Sequence, residues 1–376
     1  MRSHIYADHA ATTKLNMHAF EAMKPFLLEQ YGNPSQPHAL GQAARRGLEE
    51  ARGIIAACLG ALPEEICFTS GGTESDNWAI KGGAPAMGAP GEIITAQTEH
   101  HAVLEACREM KTQGWTVTAL VPDTNGLVTV AALESVLSPA VRLVSLMTAN
   151  NELGAIQPIP VLCEAAHRQG AYFHTDAVAA MGRIPVDIPA MGVDLLSASA
   201  HKFGGPKGVG FLYIRKDTPL HPYLTGGAQE SGRRAGTEQV AGAVGMAVAL
   251  QECCTAMVAN THYLRSLEEQ VLVRLHQAGV DFRLNGGESR LPGLLNLSFR
   301  DEDGERLLHR LDLLGICVST GAACDSRHTR TSHVLQAIGL EEAYSRGTIR
   351  LSFGPDNTIE ETVYLTDMLL SILTER

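Results

Sequence analysis

Five short segments pair reactive side chains with turn residues. Ser70-Gly71-Gly72-Thr73-Glu74-Ser75 combines a glycine turn with a hydroxyl, so its backbone amides could cradle a phosphate or form a plain tight turn. Glu99-His100-His101 offers an imidazole that could stack on a flat ring, bind a metal or move a proton. No His-Glu-x-x-His or comparable spacing supports the metal. Asn150-Asn151-Glu152 is a polar stop that needs hydrogen-bond partners if buried. In His174-Thr175-Asp176-Ala177 a carboxylate could pair with a cationic ring nitrogen or cap the following helix. In Ser199-Ala200-His201-Lys202-Phe203-Gly204-Gly205-Pro206 a lysine between a strand end and a Gly-Gly-Pro turn is poorly placed for a solvated surface role and could form a Schiff base, although a lone lysine is more often a surface residue.

A phosphate cradle, a stacking imidazole, a carboxylate for a pyridinium and a Schiff-base lysine are together what pyridoxal phosphate requires. Two further segments add to this set. Small residues in Ser319-Thr320-Gly321-Ala322-Ala323-Cys324 put Cys324 in a loop suited to a nucleophilic thiol. Thr348-Ile349-Arg350-Leu351-Ser352 puts Arg350 in a strand, where its guanidinium could clamp a carboxylate with two bonds.

The elements that must position these groups alternate. Strand patterns at 66–69, 93–95, 115–121, 141–147, 172–175, 195–199 and 209–214 are interleaved with helical patterns at 73 onward, 102–113 and 160–169. This predicts an α/β fold with a mostly parallel sheet covered on both faces, and ligand sites at the carboxyl ends of its strands. Beyond residue 240 the pattern changes to helices at 240–257 and 261–278, strands at 294–299, 316–319 and 348–353, and a closing helix at 360–373. The expected division is a large domain at 15–255 and a smaller α+β domain made of 1–14 with 256–376.

Composition narrows the function classes. The chain has 376 residues, 30 Lys plus Arg against 41 Asp plus Glu, and a net charge of −11. With a pI near 5.7 it lacks the basic stripe that nucleic-acid binding needs. The mean hydropathy is −0.01, and no run of about 18 apolar residues suggests a membrane span. The N-terminus lacks the apolar stretch of a signal peptide, so a cytoplasmic location is expected. Eight scattered cysteines with no Cys-x-x-Cys pair read as mostly reduced and buried.

In combination, several segments make the chain resemble the NifS/IscS-type cysteine desulfurases of the class-V aminotransferase family. They are residues 6–13, 31–35, 69–77 and 98–100, Asn150-Asn151-Glu152, Ser199-Ala200-His201-Lys202, Arg234-Ala235-Gly236-Thr237 and Ala323-Cys324. The resemblance implies a fold-type I pyridoxal phosphate enzyme with a seven-stranded sheet. It implies Lys202 as the Schiff-base lysine and proton-transfer base, Asp176 on the ring nitrogen, His100 stacked on the ring and assisting proton transfer, and Asn151 near its phenolic side. Gly72, Thr73, Ser199, Ala200 and His201 would surround the phosphate, reached by Thr237 from a second subunit of a homodimer. Asn33 and Arg350 would bind the substrate carboxylate. Cys324 would take sulfur from L-cysteine as a persulfide, leaving L-alanine, and pass it to an acceptor such as an iron–sulfur scaffold protein. No intrinsic metal is implied, although persulfidic Cys324 could transiently ligate an iron–sulfur cluster.

Two residues depart from the family pattern. Ala179 stands where Gln usually bonds the phenolic oxygen, and a lost bond to a charged group costs ~1.5–3 kcal/mol if nothing replaces it. Ala322 stands where Ser is common. The alternatives are a C–S or C–Se lyase, a class-V aminotransferase, or a non-enzymatic scaffold. Cys324 separates the first two from a desulfurase, because neither needs an acceptor thiol.

Overall fold

The structure is a computed structural model that describes residues 4–320 and 332–375. Its twelve described strands are β1 (Ile5–Tyr6), β2 (Ile66–Thr69), β3 (Glu92–Ala96), β4 (Thr116–Leu120), β5 (Val141–Ser145), β6 (Tyr172–Asp176), β7 (Leu195–Ser199), β8 (Gly210–Ile214), β9 (Phe282–Asn285), β10 (Leu294–Phe299), β11 (Ile316–Cys317) and β12 (Thr348–Ser352).

Seven of them form one sheet in the order β2-β8-β7-β6-β5-β3-β4. Only β8 runs against the rest, pairing antiparallel with both β2 and β7. The sheet is apolar on both faces, as crossover helices require. Successive residues point to opposite sides. Ile94, Val144 and Leu196 face a core shared with the Ala39–Leu59, Ile159–Arg168 and Val240–Gln277 helices. Their neighbours Ile93 and Leu143 face Ile80, Val103 and Met110 on the other side. Leu195 faces Trp78 there.

A second core surrounds the antiparallel sheet β12-β10-β9. It gathers Leu295, Leu297, Ile349 and Leu351 with Leu365 and Leu369 of the Ile359–Thr374 helix. Ala7 and Ile316 also join it, through the parallel pairing of β1 with β11.

Two expected helices after residue 240 are one, Val240–Gln277. Its first part, through Leu250, is buried in the large core, and Leu264, Leu267, Val271 and Leu275 are buried in the second. The polar run around residues 259–262 contains no Pro or Gly to break the helix, so continuous packing carries it through. By length and hydropathy this helix could cross a membrane, with 1.4 over an 18-residue window. Here it is the shared spine of two cores. Seven cysteines are described, all free. Cys67, Cys107 and Cys163 are buried, whereas Cys58, Cys253, Cys254 and Cys317 are half-buried rather than buried as expected.

Candidate active site

The carboxyl ends of the parallel strands open onto a cavity of about 540 Å³. Its wall includes Gly72, Thr73, His100, Asn151, Asp176, Ser199, His201, Lys202 and Arg350, which come from six separate stretches of the chain. Ala179 lines it too.

Asp176 is the last residue of β6, and one oxygen accepts the Val178 amide at 2.8 Å. Burial pushes its carboxyl up, opposed by His100, the Val178 amide and Lys202. His100 caps the His101–Thr112 helix, with Nδ1 accepting the Ala102 amide at 3.1 Å. That bond commits one ring nitrogen to the helix end and leaves Nε2 for the cavity. Burial holds His100 below its ordinary value. Lys202 ends a short turn after β7, and its Nζ donates to the carbonyls of Ala10 at 2.6 Å and Ala11 at 3.0 Å. His201 is pushed down to about 4 by burial and by Lys202 and Lys207, so it is neutral at pH 7.

The opposite end of the cavity is the start of the Gly72–Trp78 helix. First-turn amides have no partners inside a helix, which suits them to an anion. A Cβ on Gly72 would lie 2.5 Å from Val178 Cγ2, so only glycine lets the backbone approach here. Gly71 takes a φ of 148°, which also favours glycine.

Arg350 lies in β12, is 3% exposed, and lines the same cavity. Its Nη1 donates to the Asn151 carbonyl at 2.9 Å and its Nη2 to Asp8 at 2.8 Å. Asn150 is structural. It is fully buried, donates to the Thr98 carbonyl, and accepts the Glu152 and Leu153 amides.

Asp76 and the N-terminal arm, whose segments 69–77 and 6–13 carry part of the resemblance, have a place at the site for which no role was expected. Asp76 is buried one helical turn after Gly72, and an i, i+4 spacing along that helix could have signalled it. Burial and the neighbouring Asp176 push its carboxyl well up, and Oδ1 has no hydrogen-bond partner. One polar atom each from Asp76, His100 and Asp176 lie within 4.8 Å of one another, a set that could hold a cation. The arm contributes the two carbonyls on Lys202, Thr12 to His201 at 3.1 Å, and Thr13 to the His201 carbonyl at 2.9 Å.

The Aminotransferase class-V family profile matches residues 5–365. Cysteine desulfurase IscS of Dictyoglomus turgidum is 47% identical over 99% of this chain and 95% of its own. Cysteine desulfurase IscS of Methanosarcina thermophila is 43% identical over 99% and 91%. A solved NifS-like protein superposes with a TM-score of 0.93, at 37% identity and 99% coverage of both chains. The chain belongs to the cysteine desulfurase branch of the class-V aminotransferases. A solved SspA in complex with cysteine, 35% identical with a TM-score of 0.83, covers 94% of this chain and 100% of its own.

Not every residue expected from this desulfurase family lines the cavity. Ala200 is fully buried behind it. Thr237 is exposed and outside the wall formed by one chain. Asn33 is exposed as well, and its Oδ1 accepts the Ser35 amide at 2.9 Å, so a carboxylate would be met by its Nδ2, the donor end of the amide. Cys324 and Ala322 lie outside the described residues. The flanks of their segment are fixed beside the cavity. Ser319 exchanges backbone hydrogen bonds with Arg350, and Ser332 donates to Glu152 at 2.6 Å.

Proposed function

We propose that this chain is a pyridoxal phosphate-dependent cysteine desulfurase that converts L-cysteine to L-alanine and carries the sulfur on Cys324. The convergence of Lys202, Asp176, His100 and the Gly72–Thr73 turn with Arg350 around one cavity carries this reading. The residues suit the cofactor chemically. The glycine-only approach at Gly72 and the helix start beside Ser199 and His201 suit a phosphate. The buried Asp176 carboxyl suits a protonated ring nitrogen, and a positive ring would pull it back toward the ionised form. Lys202 would hold the cofactor through its amine. Pyridoxal phosphate, when bound, supplies an electron sink for the electrons released at the substrate Cα.

The remaining steps fall to the chain itself. Arg350 receives the α-carboxylate of cysteine, which orients Cα toward Lys202. Lys202 Nζ, aimed by the Ala10 and Ala11 carbonyls, removes the Cα proton. Neutral His100 assists proton transfer through Nε2. Cys324, as thiolate, attacks the substrate sulfur; the S–S bond forms as the Cβ–S bond breaks, its electron pair stays on Cβ, and a proton taken up there makes the methyl group of L-alanine. The Cys324 segment begins against the cavity-lining Arg350 and ends against Glu152, next in sequence to the cavity-lining Asn151. A homodimer completes the phosphate site with Thr237 of the partner subunit. The persulfide passes to an acceptor such as an iron–sulfur scaffold protein, in the cytoplasm.

Mass spectrometry after incubation with L-cysteine tests this reading. One added sulfur is expected on the peptide carrying Cys324, with L-alanine released. Sulfide output that persists unchanged in Cys324→Ala would make the chain a lyase instead.

A further inference from the structure

Arg350 is buried with only one carboxylate against it among the described residues. Nη2 donates to Asp8 Oδ1 at 2.8 Å, and the two side chains are 4% and 19% exposed. Nη1 is taken by the Asn151 carbonyl at 2.9 Å. Nε is buried and has no hydrogen-bond partner. A buried guanidinium without a counter-charge is strongly unfavourable.

Other charged groups nearby do not supply that counter-charge. Glu152 feels Arg350 electrostatically, but burial lifts its carboxyl to about 7, so half of it is neutral at that pH. Arg183 adds positive charge, and its own guanidinium is pushed down by burial and by Arg350. Asp8 is well placed for the task because its backbone is fixed. Asp8 bridges to Ser352, the His9 amide donates to the Ser352 carbonyl, and the Ala10 amide donates to Ser352 Oγ at 2.8 Å. β12 therefore holds Asp8 two residues along from the arginine it faces.

We propose that Asp8 is a specificity-determining residue, the resident counter-ion of Arg350, so that an entering carboxylate must share a guanidinium that is already neutralised. The inference rests on the reading of Arg350 as the carboxylate site. Its consequence is a site that admits an amino acid with a single carboxylate at moderate affinity and releases the product carboxylate readily. A dicarboxylic amino acid would raise the negative charges around this one guanidinium from two to three and is disfavoured. In the absence of ligand the ion pair keeps Arg350 from capturing any small anion.

The test uses purified full-length protein at constant ionic strength, with acetate as the probe. Asp8→Asn keeps an oxygen acceptor and removes the charge. Its thermal midpoint is expected to fall by several degrees and to recover with acetate, while the wild type hardly responds. Acetate and L-alanine should inhibit Asp8→Asn about tenfold more strongly than the wild type, and KM for L-cysteine should fall by a similar factor. Asp8→Glu, which restores the charge, should return to wild-type insensitivity. Replacing Arg350 by Gln should erase the acetate effect in both backgrounds. A higher KM in Asp8→Asn without stronger acetate binding would overturn the proposal and leave Asp8 as a mere prop for Arg350. Because the acetate response needs no turnover, it can survive a failure of the desulfurase reading, and the two failures are separable.

Discussion

Strands β6 and β7 and the N-terminal arm reach the same cavity by different means. The strands deliver side chains. Asp176 closes β6 and Lys202 follows β7 by one turn, each aimed by the register of a sheet buried on both faces. Residues 8–13 deliver backbone as much as side chains: two carbonyls to Lys202 and an amide to the His201 carbonyl, alongside the Asp8, Thr12 and Thr13 side chains. On the proposed function, the chemistry that breaks bonds sits on the rigid sheet, and the groups that aim it come from a segment clamped on from outside. The difference predicts unequal losses on mutation. Removing a strand-end group should remove a chemical step, whereas removing an arm contact should only loosen its alignment.

The largest effect should come from Lys202→Ala. It deletes the proposed base while leaving the sheet intact, since Lys202 is half-buried at a turn. Cysteine turnover should fall about 10²–10⁴-fold, the range of a positioned acid–base group. Borohydride reduction should no longer attach cofactor to the peptide containing position 202. A Lys202→Ala protein within tenfold of the wild-type rate would place the base elsewhere.

A second effect tests the loops between the two regions. Glu152 is buried, accepts the Ser332 hydroxyl, and has its carboxyl pushed up to about 7 from 4.5, chiefly by burial. A carboxyl raised on folding favours the folded state below about pH 4.5, and that advantage is lost as pH rises through 7. The difference corresponds to roughly 3 kcal/mol. Glu152→Gln keeps the acceptor and cannot ionise, so its thermal midpoint should decline less than that of the wild type between pH 4.5 and 7. His174, held down to about 3 by burial, loses stability as pH falls below its ordinary 6.5. It is present in both proteins, so the difference between the two curves isolates Glu152.

The strand-end residues were legible in the sequence because their types are costly where they stand. A lysine before Gly-Gly-Pro and an aspartate closing an apolar strand need a reason, and five such places in one alternating pattern give one. The expected strands over 66–69, 195–199 and 294–299 are the observed β2, β7 and β10. The arm was less legible for a physical reason. Ala10 and Ala11 act through their carbonyls, which every residue has, so no side chain announces them. Asp8 was hidden by distance, because its partner Arg350 is 342 residues away. The long helix 240–277 was split in the reading because its period serves two cores in succession, each burying a different stretch. Asn33 stands outside the cavity wall of one chain, with its oxygen on the Ser35 amide.

The smallest effect is the one that separates support from chemistry. Thr13 Oγ1 donates to the His201 carbonyl at 2.9 Å and accepts the Gly204 amide at 2.8 Å, so it spans the turn that carries Lys202. Valine has the same shape without the hydroxyl. The His201 carbonyl keeps the Thr13 amide at 2.9 Å, but the Gly204 amide loses its acceptor. Each net hydrogen bond is worth about 0.5–1.5 kcal/mol, so Thr13→Val should lose about 1–2 kcal/mol in urea unfolding. The Lys202 amine itself remains, held by Ala10 and Ala11. Turnover should therefore fall only a few-fold, with the cofactor still reducible onto Lys202. A loss approaching that of Lys202→Ala would mean that the arm takes part in the reaction, and the contrast between sheet and arm would have to be abandoned.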